Sequence, residues 1–426
     1  MLYRVSQNPK KQQGLVAIMV TVALLVFLGV SALAVDINHM VVNKTRLQNA
    51  VDSATLAAAT ILDSSKDKDA VDAEVVAALN AMAASTGNHE IDFTTASINI
   101  DYSNDPQDFT ETATFGAEED VFVRVRVDSL DMDEFFIQMF GLEKSVSASA
   151  VAGPSTGQDT VNNVVPIGVC IGDGTSDNDI NEDGIHDETG EPIVNVFGYE
   201  VGTVHALKVG DAELSEMGNG NYHLLDFESG GKTVKEGLGG SYEESITIGE
   251  NITTKPGGTV GPTADGLNTR FGDYGGGLKS SDYPTDYVTT EPNAEITIDA
   301  NTGEINFDGT YDYAQYQLDT NNCIAASKGE GTGAGCEANG IAWRRILPIP
   351  MVDCSSKSGG ATEFTVSKIG CFFLLQKAPT NNSGTPAVFG EFIHSCSVAG
   401  GSGGANSTTE GPYRIVLYKD PDSGES

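Results

Sequence analysis

The pattern of apolar positions changes from continuous to periodic within the first 62 residues. An uncharged apolar run extends from Leu15 to Val35, and the apolar residues after it recur at spacings of three, four and seven up to about Leu62. Neither Gly nor Pro interrupts residues 36–62. This spacing predicts one long, pilin-like helix over residues 15–62, with an apolar half in lipid and an amphipathic half outside it.

The apolar run matches the roughly 20 residues that a helix needs to span a bilayer. A secretory signal peptide is the alternative, since residues 31–34 resemble a cleavage site, but its apolar core is usually only ~7–15 residues long. Basic residues precede the run, at Arg4, Lys10 and Lys11, and Asp36 follows it. By the positive-inside rule we expect residues 1–14 to be cytoplasmic, residues 15–35 to be transmembrane and the remainder to be exported.

Residues 36–153 are predicted to form a small α+β domain. The apolar spacing predicts a second helix over residues 68–84, and alternation predicts paired strands over residues 96–102 and 121–127. A short helix over residues 131–140, ended by Gly141, and a strand over residues 145–151 are expected to follow. Helices packed on one face of a small antiparallel sheet make an α+β unit that ends near Gly153.

Residues 160–426 are predicted to form a β-rich ectodomain, either as one domain or as two. No long helical pattern follows Asn162, and short strand candidates at residues 245–248, 294–298 and 413–418 are separated by turn residues. Residues 299–304 are interpreted as a hairpin connection. The whole chain is therefore expected to be α+β.

All six cysteines follow the apolar run, and none forms a C-x-x-C pair; they are Cys170, Cys323, Cys336, Cys354, Cys371 and Cys396. Their even number and the expected oxidising compartment favour disulfides over a metal site or thiol catalysis. The sequence leaves the pairing open.

The formal net charge of −36 excludes several classes of function. Such an acidic chain lacks the clustered Lys and Arg that release counterions from a phosphate backbone, so nucleic-acid binding is not expected. Neither G-x-S-x-G nor H-E-x-x-H occurs in the sequence. We predict no catalytic residues and no enzymatic activity.

Oxygen ligands alternate along the acidic turn at residues 177–188. Their spacing matches positions 1, 3, 5, 7 and 9 of a calcium loop, with Gly184 at the sharp turn. The candidate ligands are Asp179, Asn181, Asp183, the carbonyl of Ile185, and Asp187. Position 12 is Gly190 in place of a carboxylate, and no helical pattern flanks the turn, so we expect a structural Ca²⁺ site and no EF-hand sensor. A solvated acidic turn that binds no metal is the alternative.

Three segments, at residues 13–18, 33–36 and 46–59, resemble in order and spacing the N-terminal segment of TadE/TadG-like proteins of the Flp (tight adherence) pilus assembly system. Residues 135–141 and 146–152 resemble the region that follows in many Tad-like proteins. Two features depart from related families. Met19 stands where prepilins carry a glutamate five residues after the leader glycine, here Gly14, and no Asp-x-Ser-x-Ser metal motif of a von Willebrand A-type domain is present.

The resemblance implies a bacterial envelope protein that acts through protein contacts. We expect a membrane-anchored structural component of Flp/Tad pilus assembly, single-pass in the inner membrane, with its C-terminal domain periplasmic or surface-exposed. Its partners would be other Tad/Flp pilus components and pseudopilins. The alternative is a surface-exposed adhesin or ligand-binding protein with a calcium-stabilised β-rich ectodomain.

Overall fold

The computed structural model describes residues 13–423 except 89, 95, 117–118, 142, 174–192, 212–213, 219–220, 228–229, 241–244, 330–331, 357–359, 384 and 404–409. The chain divides into two compact units, Met1–Gly153 with Val416–Ser426, and Pro154–Ile415. Residues 416–426, which the sequence assigned to the ectodomain, thus belong to the first unit. The reason is a strand at the C-terminal end of the chain that joins the first unit's sheet.

Two helices begin the first unit, and both were predicted. Helix α1 is Gln13–Ser65, and its buried residues Leu47, Val51, Ala54 and Ala58 follow the expected stripe. Helix α2 is Lys68–Ala83, and it begins where the Asp67 carboxylate accepts hydrogen bonds from the first free N–H groups. The helices pack against each other, and α1 also packs against the sheet.

The sheet of the first unit has four strands in the order β1-β2-β3-β20. Their bounds are β1 Ser97–Ser103, β2 Phe122–Asp131, β3 Ser145–Pro154 and β20 Ile415–Tyr418. Strand β2 pairs antiparallel with β1, as alternation predicted, and also pairs antiparallel with β3. Its valines at 123, 125 and 127 are buried and lie on one face of the strand, and helix α1 packs against β2.

The helix predicted over residues 131–140 was wrong in extent. Asp131 is the last residue of β2, and only Ile137–Phe140 form a helix, a single 3-10 turn that ends at Gly141 in the left-handed conformation. The backbone N–H groups of Phe135, Phe136 and Ile137 donate to the carboxylate of Asp36. Asp36 thus binds the free N–H groups ahead of this turn.

The second unit is rich in short strands, as predicted. Its strands are β4 Gln158–Asn162, β5 Val169–Cys170, β6 Asn195–Val196, β7 Tyr199–Glu200, β8 Val204–Val209, β9 Asn221–Leu225, β10 Ser245–Thr247, β11 Asn251–Pro256, β12 Thr297–Ile298, β13 Ile305–Asn306, β14 Ile346–Val352, β15 Glu363–Leu374, β16 Ala387–Ile393, β17 Ser395–Ser397, β18 Gly401–Gly403 and β19 Gly411–Tyr413. Its helices are α3 Gly230–Gly239, α4 Val260–Leu267 and α5 Tyr313–Ser327, with 3-10 turns at Asn268–Phe271 and Cys354–Ser356.

Strand β15 lies at the centre of the largest sheet of the second unit. It pairs with β14, β16 and β11, and the sheet continues to β5, β9 and β8. Phe372 and Leu374 belong to one buried apolar cluster, whereas Cys371 and Phe373 belong to another. Both faces of the sheet are therefore covered here, which explains why residues 371–375 are apolar without alternation.

Helix α5 contradicts the expectation that no long helix follows residue 162. It has 15 residues and begins at Tyr313, directly after Asp312, whose carboxylate caps it by accepting a hydrogen bond from Gln315 N. Its buried face consists of Tyr316, Thr320 and Cys323. These residues have helical spacing, but only Tyr316 has a large, mostly apolar side chain. The hydrophobic periodicity of this segment of the sequence is therefore weak.

The local turn and strand predictions had mixed outcomes. Residues 299–304 do connect a hairpin, in which Thr297 pairs with Asn306 and Ile298 pairs with Ile305. The candidate at 294–298 forms strand only at its last two residues, and the candidate at 413–418 is divided between β19 and β20.

All six cysteines form disulfides, as their even number and the expected oxidising compartment predicted. The pairs are Cys170–Cys354, Cys323–Cys336 and Cys371–Cys396. The first joins residues 184 positions apart, whereas the others close loops of 13 and 25.

Candidate membrane-proximal interface

The N-terminal part of α1 presents an uncovered apolar surface. Phe27 is 71% exposed, and the other large apolar side chains from Val16 to Val35 are exposed as well. Among residues 16–35, all of them described, only Ala32 is partly covered. By length and composition this helix could cross a membrane. Exposed apolar surface of this extent marks a region that meets another apolar environment.

Asp36, the first charged residue after the run, is only 2% exposed. Its carboxylate accepts hydrogen bonds from the backbone N–H groups of Phe135 at 3.2 Å and of Phe136 and Ile137 at 2.9 Å. Burial acts to raise the pKa of Asp36, but these bonds and the charge of Lys144 outweigh it, so the pKa lies below its usual value.

A chain of polar contacts surrounds this carboxylate. Lys144 Nζ lies 3.7 Å from Asp36 Oδ1, 2.7 Å from His39 Nδ1 and 3.0 Å from the carbonyl of Asp133. On the other side of the imidazole, His39 Nε2 lies 2.6 Å from Glu90 Oε2. Both ring nitrogens of His39 therefore lie within hydrogen-bond distance of a partner in this cluster, Lys144 Nζ at Nδ1 and Glu90 Oε2 at Nε2.

Two phenylalanines project beside this cluster. The ring of Phe135 meets the His39 ring edge-on at 4.8 Å, and Lys144 Nζ lies 5.2 Å from the Phe135 ring centroid. Phe135 and Phe136 nevertheless remain 45% and 42% exposed. We call Asp36, His39, Glu90, Lys144 and the turn at residues 135–137 the membrane-proximal cluster.

The sequence did not predict this cluster, because Asp36 and the turn at residues 135–137 are about 100 positions apart. Two signals were present: Asp36 is the first charge after the apolar run, and Phe135–Phe136 is an aromatic doublet that directly follows two acidic residues. Only tertiary structure brings them together.

The predicted calcium ligands Asp179, Asn181, Asp183, Ile185 and Asp187 lie outside the described residues. Around them, Gly172 N donates to the Phe197 carbonyl at 3.1 Å, and Tyr199 OH donates to the Cys170 carbonyl at 2.8 Å. Within the described part of the chain, no group of three or more His, Cys, Asp or Glu residues could hold a metal ion. The calcium site stays a prediction.

Buried charges in the second unit belong to its core. Arg345 is fully buried; its guanidinium donates to backbone carbonyls, including those of Thr290 and Leu375, and lies over the ring of Phe373 at 4.6 Å. Asp286 accepts from Tyr316 OH at 2.6 Å and from Arg345 N at 3.0 Å. Burial lowers the pKa of Arg345 and raises the pKa of Asp286. These groups link the segments around β15 and α5.

Comparison with known families identifies the N-terminal third of the chain. Residues 14–60 match the Tad family, described as Flp pilus-assembly TadE/G-like, and residues 56–152 match the Tad_C family, described as Tad-like Flp pilus-assembly. Residues 14–152, which hold α1, α2 and nearly all of β1–β3, are thus a Tad-type region, and the resemblance seen in the sequence is confirmed. This region indicates involvement in Flp pilus assembly. No curated protein and no solved structure matches the chain.

Proposed function

We propose that this chain is a membrane-anchored structural component of Flp/Tad pilus assembly. It crosses the inner membrane once, with its N-terminus in the cytoplasm, and acts through contacts with other Tad/Flp components and pseudopilins. One observation carries the proposal: the Tad match covers α1, whose uncovered apolar surface extends over residues 16–35.

The distribution of charge and disulfides supports the orientation. Arg4, Lys10 and Lys11 precede the apolar run, as positively charged residues do on the cytoplasmic side. All three disulfides follow it, and disulfides persist in oxidising compartments such as the periplasm.

The continuity of α1 supports a mechanical role. The helix has 53 residues and extends ~80 Å at ~1.5 Å per residue, so the apolar part and the part packed in the first unit form one element. Neighbouring helices that dock on the span would therefore fix the position of the first unit as well. Met19 lacks the carboxylate of a processed prepilin, which favours a retained component over a filament subunit.

Replacing the anchor tests this function. In one variant, a cleavable signal peptide replaces residues 1–35 and releases the rest into the periplasm; in the control, an unrelated apolar span of equal length replaces residues 15–35. We expect the released form to lose surface pili, measured by electron microscopy and in sheared fractions. A released form that assembles pili as well as the wild type would contradict the proposal.

We further propose that the acidic segment at residues 177–188 binds Ca²⁺ as a structural loop. The alternating oxygen ligands support this, as do the contacts of Gly172 and Tyr199, which hold together the described residues on either side. Saturating Ca²⁺ at about 100 times its Kd should stabilise the protein by about 2.7 kcal/mol.

Calorimetric unfolding with Ca²⁺, Mg²⁺ or chelator measures this effect. The double variant Asp179→Asn, Asp183→Asn should lose the Ca²⁺ response, whereas Asp282→Asn, a change at an exposed acid elsewhere, should keep it. Equal responses of wild type and double variant would exclude the site.

A further inference from the structure

We propose that Phe135 and Phe136 insert into the interfacial layer of the bilayer that α1 crosses, as a second contact of the first unit with the membrane. This inference rests on the proposed membrane span. It assigns to the exposed aromatic pair one partner, the lipid surface beside the end of the apolar run.

The position of the pair along α1 is fixed by the Asp36 hydrogen bonds. Side chains on a helix tilt toward its N-terminus, so the Asp36 carboxylate lies over the turn before its own Cα. That turn belongs to the apolar run. The N–H groups of residues 135–137, bound at 2.9–3.2 Å, are therefore level with the end of the run.

The partial burial of Ala32 independently supports this position of residues 135–137 along α1. Ala32 lies four residues before Asp36, one helical turn inside the apolar run, and it alone among residues 16–35 is partly covered. The 3-10 turn at Ile137–Phe140 contacts α1. The chain that carries the two phenylalanines therefore packs beside α1 where the apolar run ends.

The surrounding contacts orient the pair without covering it. Every polar member of the membrane-proximal cluster has a partner, and Lys144 lies against one face of the Phe135 ring. Phe135 and Phe136 nevertheless keep nearly half of their residue surface exposed. Aromatic side chains at the boundary of a span favour the membrane interface.

The acidic residues near Phe135 and Phe136 determine which kind of lipid surface the pair can approach. Asp133, Glu134 and Glu143 flank the turn, and their carboxylates oppose approach to an anionic surface. Insertion should therefore depend on apolar contact and should occur in a zwitterionic bilayer.

Spin labelling of the full chain in phosphatidylcholine nanodiscs tests the inference. No native cysteine is free, so an introduced cysteine is the single labelling site. The variants are Phe136→Cys at the pair, Leu25→Cys within the apolar run and Val76→Cys on the exposed side of α2. Collision with oxygen reports bilayer contact, and collision with a water-soluble nickel chelate reports water contact.

The label at 136 should show an oxygen-to-nickel accessibility ratio several-fold above that at 76 and below that at 25. A ratio equal to that at 76, with the label at 25 in the bilayer, would overturn the inference and leave the proposed anchor intact. A water-accessible label at 25 would overturn both. Protection at 136 from both reagents, with dipolar broadening, would assign the pair to a second copy of the chain and overturn the lipid contact.

As a check that labelling itself does not create the contact, Phe136→Trp is compared with the wild type in brominated phosphatidylcholine. The wild type contains one tryptophan, Trp343. Quenching of the variant beyond that of the wild type supports insertion, and equal quenching contradicts it.

Discussion

A single buried side chain, that of Asp36, joins two segments of the first unit that are distant in sequence. One carboxylate binds three backbone N–H groups and lies near Lys144. The position where the chain leaves its apolar run is thereby tied to a segment about 100 residues later. The first charged residue after the apolar run therefore also holds the turn at residues 135–137 against α1.

Asp36→Ala should lower the unfolding temperature of the first unit, because it leaves three N–H groups without their acceptor and Lys144 without its carboxylate. Asp36→Asn keeps one acceptor oxygen and should cause a smaller loss. Calorimetry of the full chain in nanodiscs measures both, with Asp69→Asn as the control for loss of one exposed acid. Equal unfolding temperatures of Asp36→Ala and Asp69→Asn would show that the Asp36 hydrogen bonds do not stabilise the first unit.

Buried histidines should make the second unit sensitive to acid. Burial lowers the pKa of His223 from 6.5 to about 4, and the charge of Lys208 acts in the same direction. The unfolded chain then binds the proton more readily, so the contribution to stability is full above pH 6.5 and is lost as the pH falls toward 4. Glu391, with its pKa raised to about 7 by burial, acts in the opposite sense between pH 4.5 and 7.

The variant His223→Asn separates these effects, since asparagine tolerates the positive φ of 64° at this position. Between pH 7.5 and pH 4.5, the unfolding temperature of the variant should therefore fall by less than that of the wild type. Parallel profiles would show that His223 does not contribute to the acid sensitivity.

At the scale of elements, helices with a complete apolar stripe were predictable and helices without one were not. The continuous and periodic patterns predicted α1 and α2 almost to their ends, alternation predicted β1 and β2, and a run of small residues predicted most of β3. Helix α5 was missed because its inward face consists of one large side chain, Tyr316, with polar Thr320 and the small side chain of Cys323. The same holds for the membrane-proximal cluster. The apolar run could be recognised in the sequence, whereas the contact between Asp36 and Phe135 depends on tertiary packing.

The beginning of α2 shows how a local signal sets an element boundary. Asp67 Oδ1 accepts from Asp69 N at 3.0 Å and from Ala70 N at 3.4 Å. Asp67→Ala should destabilise the first unit by about 1 kcal/mol, and Asp67→Asn should be nearly neutral because asparagine also caps helices well. Chemical denaturation measures the difference. A similar loss of stability in both variants would show that the negative charge of Asp67, and not its capping hydrogen bonds, stabilises the start of α2.

At the scale of the whole molecule, the described part combines an apolar helix, a Tad-type region and a disulfide-bonded β-rich unit. The disulfide Cys170–Cys354 closes 184 positions and Cys323–Cys336 closes 13. In the chain-entropy model, these separations correspond to about 5 and about 3 kcal/mol of stabilisation.

Removing the long-range disulfide should therefore cost more than removing the short-range one. The paired variants Cys170→Ser, Cys354→Ser and Cys323→Ser, Cys336→Ser each delete one bridge and leave the other two. Denaturant unfolding of the second unit should show the larger loss for the first pair. The reverse order would show that local packing, and not loop closure, determines what each bridge contributes.

The central claim is that α1 remains as a membrane anchor of an assembly component. The most direct test is mass spectrometry of the native protein in separated inner membrane, periplasm and sheared surface material. We predict peptides that continue across the Gly14–Leu15 bond, found in the inner membrane. A new N-terminus at Leu15 in the sheared fraction would contradict this account and make the chain a processed pilin-like subunit.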